Sequence, residues 1–175
     1  MNKDMLRKKM LDKRLQLSTK SLGKIGQLAV ESICNHSFYQ QATHIGIYHP
    51  IKNEMNILNI AKDSNKTFYL PKVYGSKMHY LLYENALKQS ELGIYEPTSE
   101  HVYDHQLELI IVPALAVDHQ HHRIGYGKGF FDRFIDAFPH VKTLGLVMSF
   151  QVVDEISHTI HDKKLHDIIV IPYED

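Results

Sequence analysis

Arg123, Lys128 and Asp132 bracket three glycines in the run Arg123-Ile124-Gly125-Tyr126-Gly127-Lys128-Gly129-Phe130-Phe131-Asp132-Arg133. Glycines at alternate positions suit neither a helix nor a strand, because each adds backbone entropy that folding must remove. They do let bare backbone N–H groups approach phosphate oxygens, and a helix N-terminus behind them favours negative charge. Lys128 and Arg123 would supply the cations. Asp132, in the first turn of that helix, could cap or balance its dipole, or hold Mg²⁺ opposite a bound triphosphate. For the glycines the alternative is a tight turn against neighbouring backbone. The run is not a Walker A loop, since Gly129 rather than Ser or Thr follows Lys128, and its third glycine comes too early for a dinucleotide fingerprint.

Other residue types with chemical potential are scattered. Lys3, Arg7 and Arg14 fall on one side of a basic N-terminal segment, either as a solvated face or as phosphate contacts. Glu54 lies just beyond a strand's carboxyl end. Asp162 is a plausible second carboxylate for a metal. His119, His121 and His122 sit in a turn and not on one helix face, and the single Cys34 offers no partner, so a structural zinc site is not expected.

These residues need elements to position them. Residues 3 to 17 lack Gly and Pro and read as a helix; a second amphipathic helix runs from Ser18 to Asn35, weakened by Gly23 and Gly26. Thr43 to Tyr48 reads as a strand ended by His49-Pro50, followed by a loop, a helix through Ile57 to Ala61, and a strand from Thr67 to Leu70 stopped by Pro71. Met78 to Tyr83 fits an edge strand, and Leu92 to Pro97 a loop punctuated by Gly and Pro. Leu109 to Val112 is the most apolar strand and belongs at the centre. Phe130, Phe131, Phe134, Ile135 and Phe138 share one face of a helix directly after the glycines. Strands at Leu144 to Met148 and Ile168 to Ile171 complete the pattern. The expected fold is a single three-layer α/β/α domain, residues 1–175, with a mostly parallel, Rossmann-like sheet. Ligands of such sheets bind at the strands' carboxyl ends, where the loops after Tyr48 and Met148 and the glycine run can share one crevice.

Composition sets the outer bounds. The chain has 175 residues, 43% hydrophobic and 23% charged, with 20 basic and 20 acidic side chains. That balance gives no argument for nucleic acid or a membrane, so any anion site must be local. One cysteine rules out an internal disulfide and fits a reducing, cytoplasmic setting. No apolar run approaches a membrane span. The thirteen histidines, spread from His36 to His166, read mainly as loop and surface residues.

The run from Pro113 to Asp118 followed by Arg123 to Arg133 resembles the signature of 5-formyltetrahydrofolate cyclo-ligases, or methenyltetrahydrofolate synthetases. The likeness extends, in order, to Lys3 and Arg7, Glu54, the Gly93-Ile94-Tyr95-Glu96-Pro97 segment and His161-Asp162. By that resemblance Lys3, Arg7 and the loop Arg123, Ile124, Gly125, Tyr126, Gly127, Lys128, Gly129, Phe130 and Phe131 would bind ATP. Asp132 and Asp162 would hold Mg²⁺, and His49, Glu54, Tyr95 and Glu96 would line the folate site. The implied reaction converts 5-formyltetrahydrofolate to 5,10-methenyltetrahydrofolate with release of ADP and phosphate, with Lys128, Arg123 and Glu54 as its catalytic residues. The expected partners are small molecules, a reduced folate and ATP, acting on a monomer. The rival reading is a non-catalytic nucleotide- or folate-binding regulator on the same fold. Phe130 and Phe131 stand where this family commonly has Tyr, His121 where it often has Gly, and Asn56-Ile57 where it has Asp-Thr.

Overall fold

The computed structural model describes residues 2–84 and 86–173. Helix α1 (Lys3–Leu15) starts at Asn2, whose side chain accepts from Met5 N, and buries Leu6, Met10 and Arg14 at a spacing of four. Helix α2 (Thr19–Cys34) is capped by Ser18 and buries Ile25, Ala29 and Ile33 at the same spacing. Each large aliphatic buried in this way contributes about 1.5–3 kcal/mol. Gly26 does more than weaken the helix: a Cβ there would lie 2.8 Å from Asn56 O. Its absence lets the loop after the first strand pack directly on α2. A short helix α3 (Ser37–Gln41) leads into strand β1 (His44–Gly46).

The chain then forms β2 (Thr67–Tyr74), β3 (Lys77–Leu82), β4 (Leu87–Gln89), β5 (Tyr95–Pro97), β6 (Leu109–Pro113), β7 (Ala116–Asp118) and β8 (Arg123–Ile124). Helix α4 (Phe130–Ala137), β9 (Lys142–Met148), β10 (Val152–Val153) and β11 (Asp167–Ile171) complete it. The main sheet has the order β11-β9-β6-β1-β2-β3, so the apolar β6 is central and β3 is an edge. All its pairings are parallel except β2 with β3.

Alternation along the strands builds two cores. Leu109 and Ile111 of β6 face α2 and α3 together with Ile45, Leu144 and Leu146. Ile110 and Val112 face Phe134 and Ile135 of α4 on the other side. The sheet is thus sandwiched between helices, as the sequence pattern requires.

Four local expectations change. Ile57 to Ala61 forms a 3-10 turn at Leu58–Lys62, with no side-chain cap, and not an α-helix. Pro71 does not stop β2, which continues to Tyr74. Tyr83 N donates to Phe68 O, so bonded pairs alternate through Leu70–Leu81, and Pro71 opposite Tyr80 falls on a non-bonded pair. Its missing N–H would have faced away from β3. Tyr95 to Pro97, expected in a loop, is strand β5, paired with β4. Lastly, the glycine run does not follow β6 directly. Strand β7 lies between them, the run's own Arg123–Ile124 is β8, and both belong to a three-stranded side sheet, β10-β7-β8, where α1 packs Leu6 and Met10 against Leu115, Ala116 and Ile124.

Candidate active site

Strand β1 leads to β2 on one side of the sheet, while β6 lies on the other, so the chain ends of β1 and β6 diverge at a topological switch point. A crevice of about 930 Å³ opens there. Tyr48, His49, Ile51, Lys52 and Glu54 line it after β1, and Pro113, Ala114 and Leu115 after β6. The glycine run from Arg123 to Asp132 forms a second wall, joined by Lys3, Arg7 and Asp162. The hairpin of β4 and β5 contributes Gln89, Leu92, Ile94 and Glu96. Tyr95 is not in the lining, but its ring packs on His49 with centroids 4.9 Å apart. Of the connection after Met148, Asp162 reaches the crevice, whereas Gln151 donates to Ala114 O at 2.8 Å and Leu115 O at 3.0 Å and braces the floor from behind.

In the glycine loop, Gly127 and Gly129 take φ of +92° and +69°. Gly129 is the residue that opens α4, and a Cβ there would meet Arg133 Nη1 at 2.8 Å. Arg133 straps the loop: it donates to Lys128 O at 2.8 Å and to Ser76 O in the β2–β3 turn at 2.8 Å. Arg7 Nε donates to Gly125 O at 3.0 Å, tying α1 to the same loop. The guanidiniums of Arg123 and Arg133 lie over the Phe131 and Phe130 rings at 5.2 and 5.3 Å. His121, as a non-glycine in the left-handed region at φ +69°, is held by Leu165, whose N–H donates to His121 O at 2.9 Å.

Charges are paired across the mouth. Lys3 Nζ donates to Asp162 Oδ2 at 2.7 Å, and Arg123 Nη2 to Asp132 Oδ2 at 3.4 Å. Lys163 N donates to the other Asp132 oxygen at 3.2 Å, which puts Asp132 next to the segment carrying Asp162. Burial pushes the Asp162 carboxyl up, but Lys3 and the Thr159 N–H outweigh it and hold the group below its usual value. Burial depresses the Arg123 guanidinium, opposed by Asp132, Tyr80 and Asp162, and its buried Nε has no partner among the described residues. Among the described residues no three His, Cys, Asp or Glu side chains converge into a metal cage. Asp132 and Asp162 both line the crevice, and they are the carboxylates that could hold Mg²⁺ together with phosphate oxygens and water.

After β1, Glu54 is 8% exposed. Its Oε2 accepts from Ile51 N at 3.0 Å and its Oε1 from Tyr126 OH at 3.3 Å. Burial raises its carboxyl above the ordinary value, against the pull of Arg14, the Ile51 N–H, Tyr126 and Lys52. His49 is lowered by burial, partly countered by the Pro50 backbone, and its Nδ1 lacks a partner among the described residues. An imidazole held below its ordinary range is neutral near pH 7.

One site residue escaped the sequence reading. Arg14, grouped there with a basic face, is 2% exposed and its guanidinium bonds Lys52 O, Ala114 O and Tyr126 OH. The signal was its position four residues after Met10 and eight after Leu6, on the apolar stripe of α1. The His119 to His122 turn holds no metal cluster among the described residues; buried Asp118 organises it, accepting from Gln120 N, His122 N, His122 Nδ1 and Ile156 N.

Comparison with known proteins places this geometry. The sequence profile of the 5-formyltetrahydrofolate cyclo-ligase family matches residues 1–171. A 5-formyltetrahydrofolate cyclo-ligase of Haemophilus influenzae is 28% identical over 159 residues, covering 81% of this chain and 85% of that protein. The NMR structure of an Aquifex aeolicus 5,10-methenyltetrahydrofolate synthetase superposes with a TM-score of 0.81 at 26% identity, covering 98% of this chain and 90% of that one. A 5,10-methenyltetrahydrofolate synthetase from Mycoplasma pneumoniae shares the fold with a TM-score of 0.77 at 23% identity, covering 97% and 98%.

Proposed function

Because the chain belongs to the 5-formyltetrahydrofolate cyclo-ligase family, we propose that it cyclises 5-formyltetrahydrofolate to 5,10-methenyltetrahydrofolate at the expense of ATP. The observation that carries the reading is one crevice whose walls are a glycine loop with Arg123 and Lys128, and the segment after β1 with His49 and the buried carboxylate Glu54. The first wall suits a triphosphate and the second a polar heterocycle.

The formamide oxygen of the substrate is a poor leaving group. Transfer of the γ-phosphoryl group to it breaks a bond to ADP and makes it a good one. N10 then attacks the activated carbon, its proton is lost, and phosphate departs as the C–O bond breaks. The enzyme's part in such a transfer is positioning and charge neutralisation. Lys128 and Arg123 would neutralise phosphoryl oxygens, and the unpaired Arg123 Nε would gain an acceptor. Lys3 and Arg7 would hold the phosphate chain from α1. Phe130 and Phe131 would flank the nucleotide through their rings. Asp132 and Asp162 would hold Mg²⁺, which when bound supplies further charge neutralisation at the phosphates. Glu54 would accept hydrogen bonds from the pterin, neutral His49 would meet its polar edge, and Glu96 with Tyr95 would close that side.

The proposal takes residues 1–175 as one catalytic domain acting as a monomer. The lone Cys34 suits a reducing compartment, so the reading includes the cytoplasm. The test is appearance of the methenyl absorbance when 5-formyltetrahydrofolate, ATP and Mg²⁺ are mixed with the protein. Binding of both ligands without that absorbance would leave the non-catalytic regulator instead.

A further inference from the structure

Arg14 lies on α1, yet its guanidinium touches three separate parts of the crevice. Nε donates to Lys52 O at 2.9 Å, Nη1 reaches Ala114 O at 3.5 Å after β6, and Nη2 donates to Tyr126 OH in the glycine loop. Tyr126 OH passes the chain on, donating to Glu54 Oε1. The loop that carries Glu54 is strained: Lys52 and Asn53 adopt φ of +47° and +59°, a region L side chains avoid. The same helix holds that strain, since Asn53 Nδ2 donates to Arg14 O at 3.2 Å and to Leu15 O at 3.4 Å. A buried arginine with this many acceptors is more than a packing residue.

We propose that Arg14 is a positioning residue that fixes Glu54 against the nucleotide loop through Tyr126, setting the register between the two substrates. This rests on the reading of Glu54 as the folate-side carboxylate. A guanidinium suits the task because its planar fork serves a backbone carbonyl and a phenol at once, which a lysine ammonium on a flexible stem would do less rigidly. Its charge also opposes the upward pull of burial on the Glu54 carboxyl. The other groups facing Glu54 are Tyr126, Lys52 and the buried Tyr48, of which only Lys52 adds positive charge.

Tyr126→Phe breaks the chain while keeping the ring and its cation contacts, so it stays folded; Arg14→Met removes both charge and bonds. Each should lower kcat/KM for 5-formyltetrahydrofolate about tenfold, as loss of a charge-assisted hydrogen bond implies. Arg14→Met should also move the acid limb of the pH profile to higher pH, because Glu54 then protonates more easily; Arg14→Lys should restore that limb and not the full rate. Adding Glu54→Gln to Arg14→Met should multiply the loss by less than about threefold, the mark of residues acting as one unit. Full multiplication of the two losses, or an unmoved acid limb in a folded Arg14→Met, overturns the proposal. A separate arm distinguishes it from failure of the functional reading. The Glu54 carboxyl carbon, followed by NMR, should titrate at higher pH in Arg14→Met than in the wild type whatever the enzyme's substrate, and identical titrations would defeat the idea even with no turnover.

Discussion

Asp132 accepts from Arg123 Nη2 across the mouth of the crevice at 3.4 Å, a long contact for an ion pair with one buried partner. Both groups are therefore held near each other without being locked, and a ligand bearing phosphate and Mg²⁺ can separate them. Asp132→Asn and Asp162→Asn should each raise the Mg²⁺ concentration needed for half-maximal rate by about tenfold or more, the scale of a lost charge-assisted contact. Initial rates measured across a Mg²⁺ series check this; superimposable curves for wild type and both variants would remove the metal role.

Lys128 presents its ammonium from an exposed loop whose carbonyl is strapped by Arg133. Lys128→Ala should therefore raise KM for ATP by roughly ten- to a hundredfold, leaving binding of the folate in the absence of ATP unchanged. Separate titrations of the two ligands decide it, and equal weakening of both would point to a collapsed loop instead.

Gly129→Ala places a Cβ at φ +69° and within 2.8 Å of Arg133 Nη1. The left-handed conformation alone costs about 1–2 kcal/mol, and the strap to Lys128 must shift as well. Thermal unfolding should show a lower Tm and kinetics a weaker use of ATP. A variant with unchanged Tm and KM would mean the loop does not need that geometry.

Asp118 is 1% exposed. Burial raises its carboxyl, but the N–H groups of Ile156 and His122, the His122 ring and Gln120 N outweigh that and hold it below the ordinary value. A group depressed in the folded state stabilises above its unfolded value and loses that contribution as pH falls through the folded one. Asp118→Asn should cost about 1–3 kcal/mol at pH 7, and the gap in Tm between variant and wild type should narrow below about pH 4. A gap that stays constant down to pH 3 would show that ionisation of Asp118 is irrelevant to the turn.

Sequence reading reached α1, α2, α4 and the main sheet because their signals are local, but not the five-residue α3. Leu22, Ile25, Ala29 and Ile33 announce α2 by spacing, Ser18 caps it, and the apolar run at Leu109 to Val112 is visibly a strand buried on both faces. The glycine run was equally legible as a turn that opens into a helix, since Gly127 and Gly129 take positive φ and α4 begins at Phe130. The side sheet was not: β7, β8 and β10 are three, two and two residues long, and the pairing of Val117 with Val152 depends on chain segments far apart. Pro71 misled because its effect depends on which pair of the ladder it occupies. Arg14 misled because a basic residue on a basic helix looks solvated, and only the acceptors brought by Lys52, Ala114 and Tyr126 make its burial tolerable.

The bond between Lys3 and Asp162 spans 159 positions. During synthesis, β1, β2, β3 and β6 can pair well before Asp162 leaves the ribosome, so most of the sheet precedes the completed mouth of the crevice. Closure entropy for such a long loop must be met before the contact contributes. A nascent chain halted short of Asp162 would lack both that contact at the mouth and strand β11, which pairs along β9. Ligands that favour the finished crevice would then act late, stabilising the released protein and not the growing one.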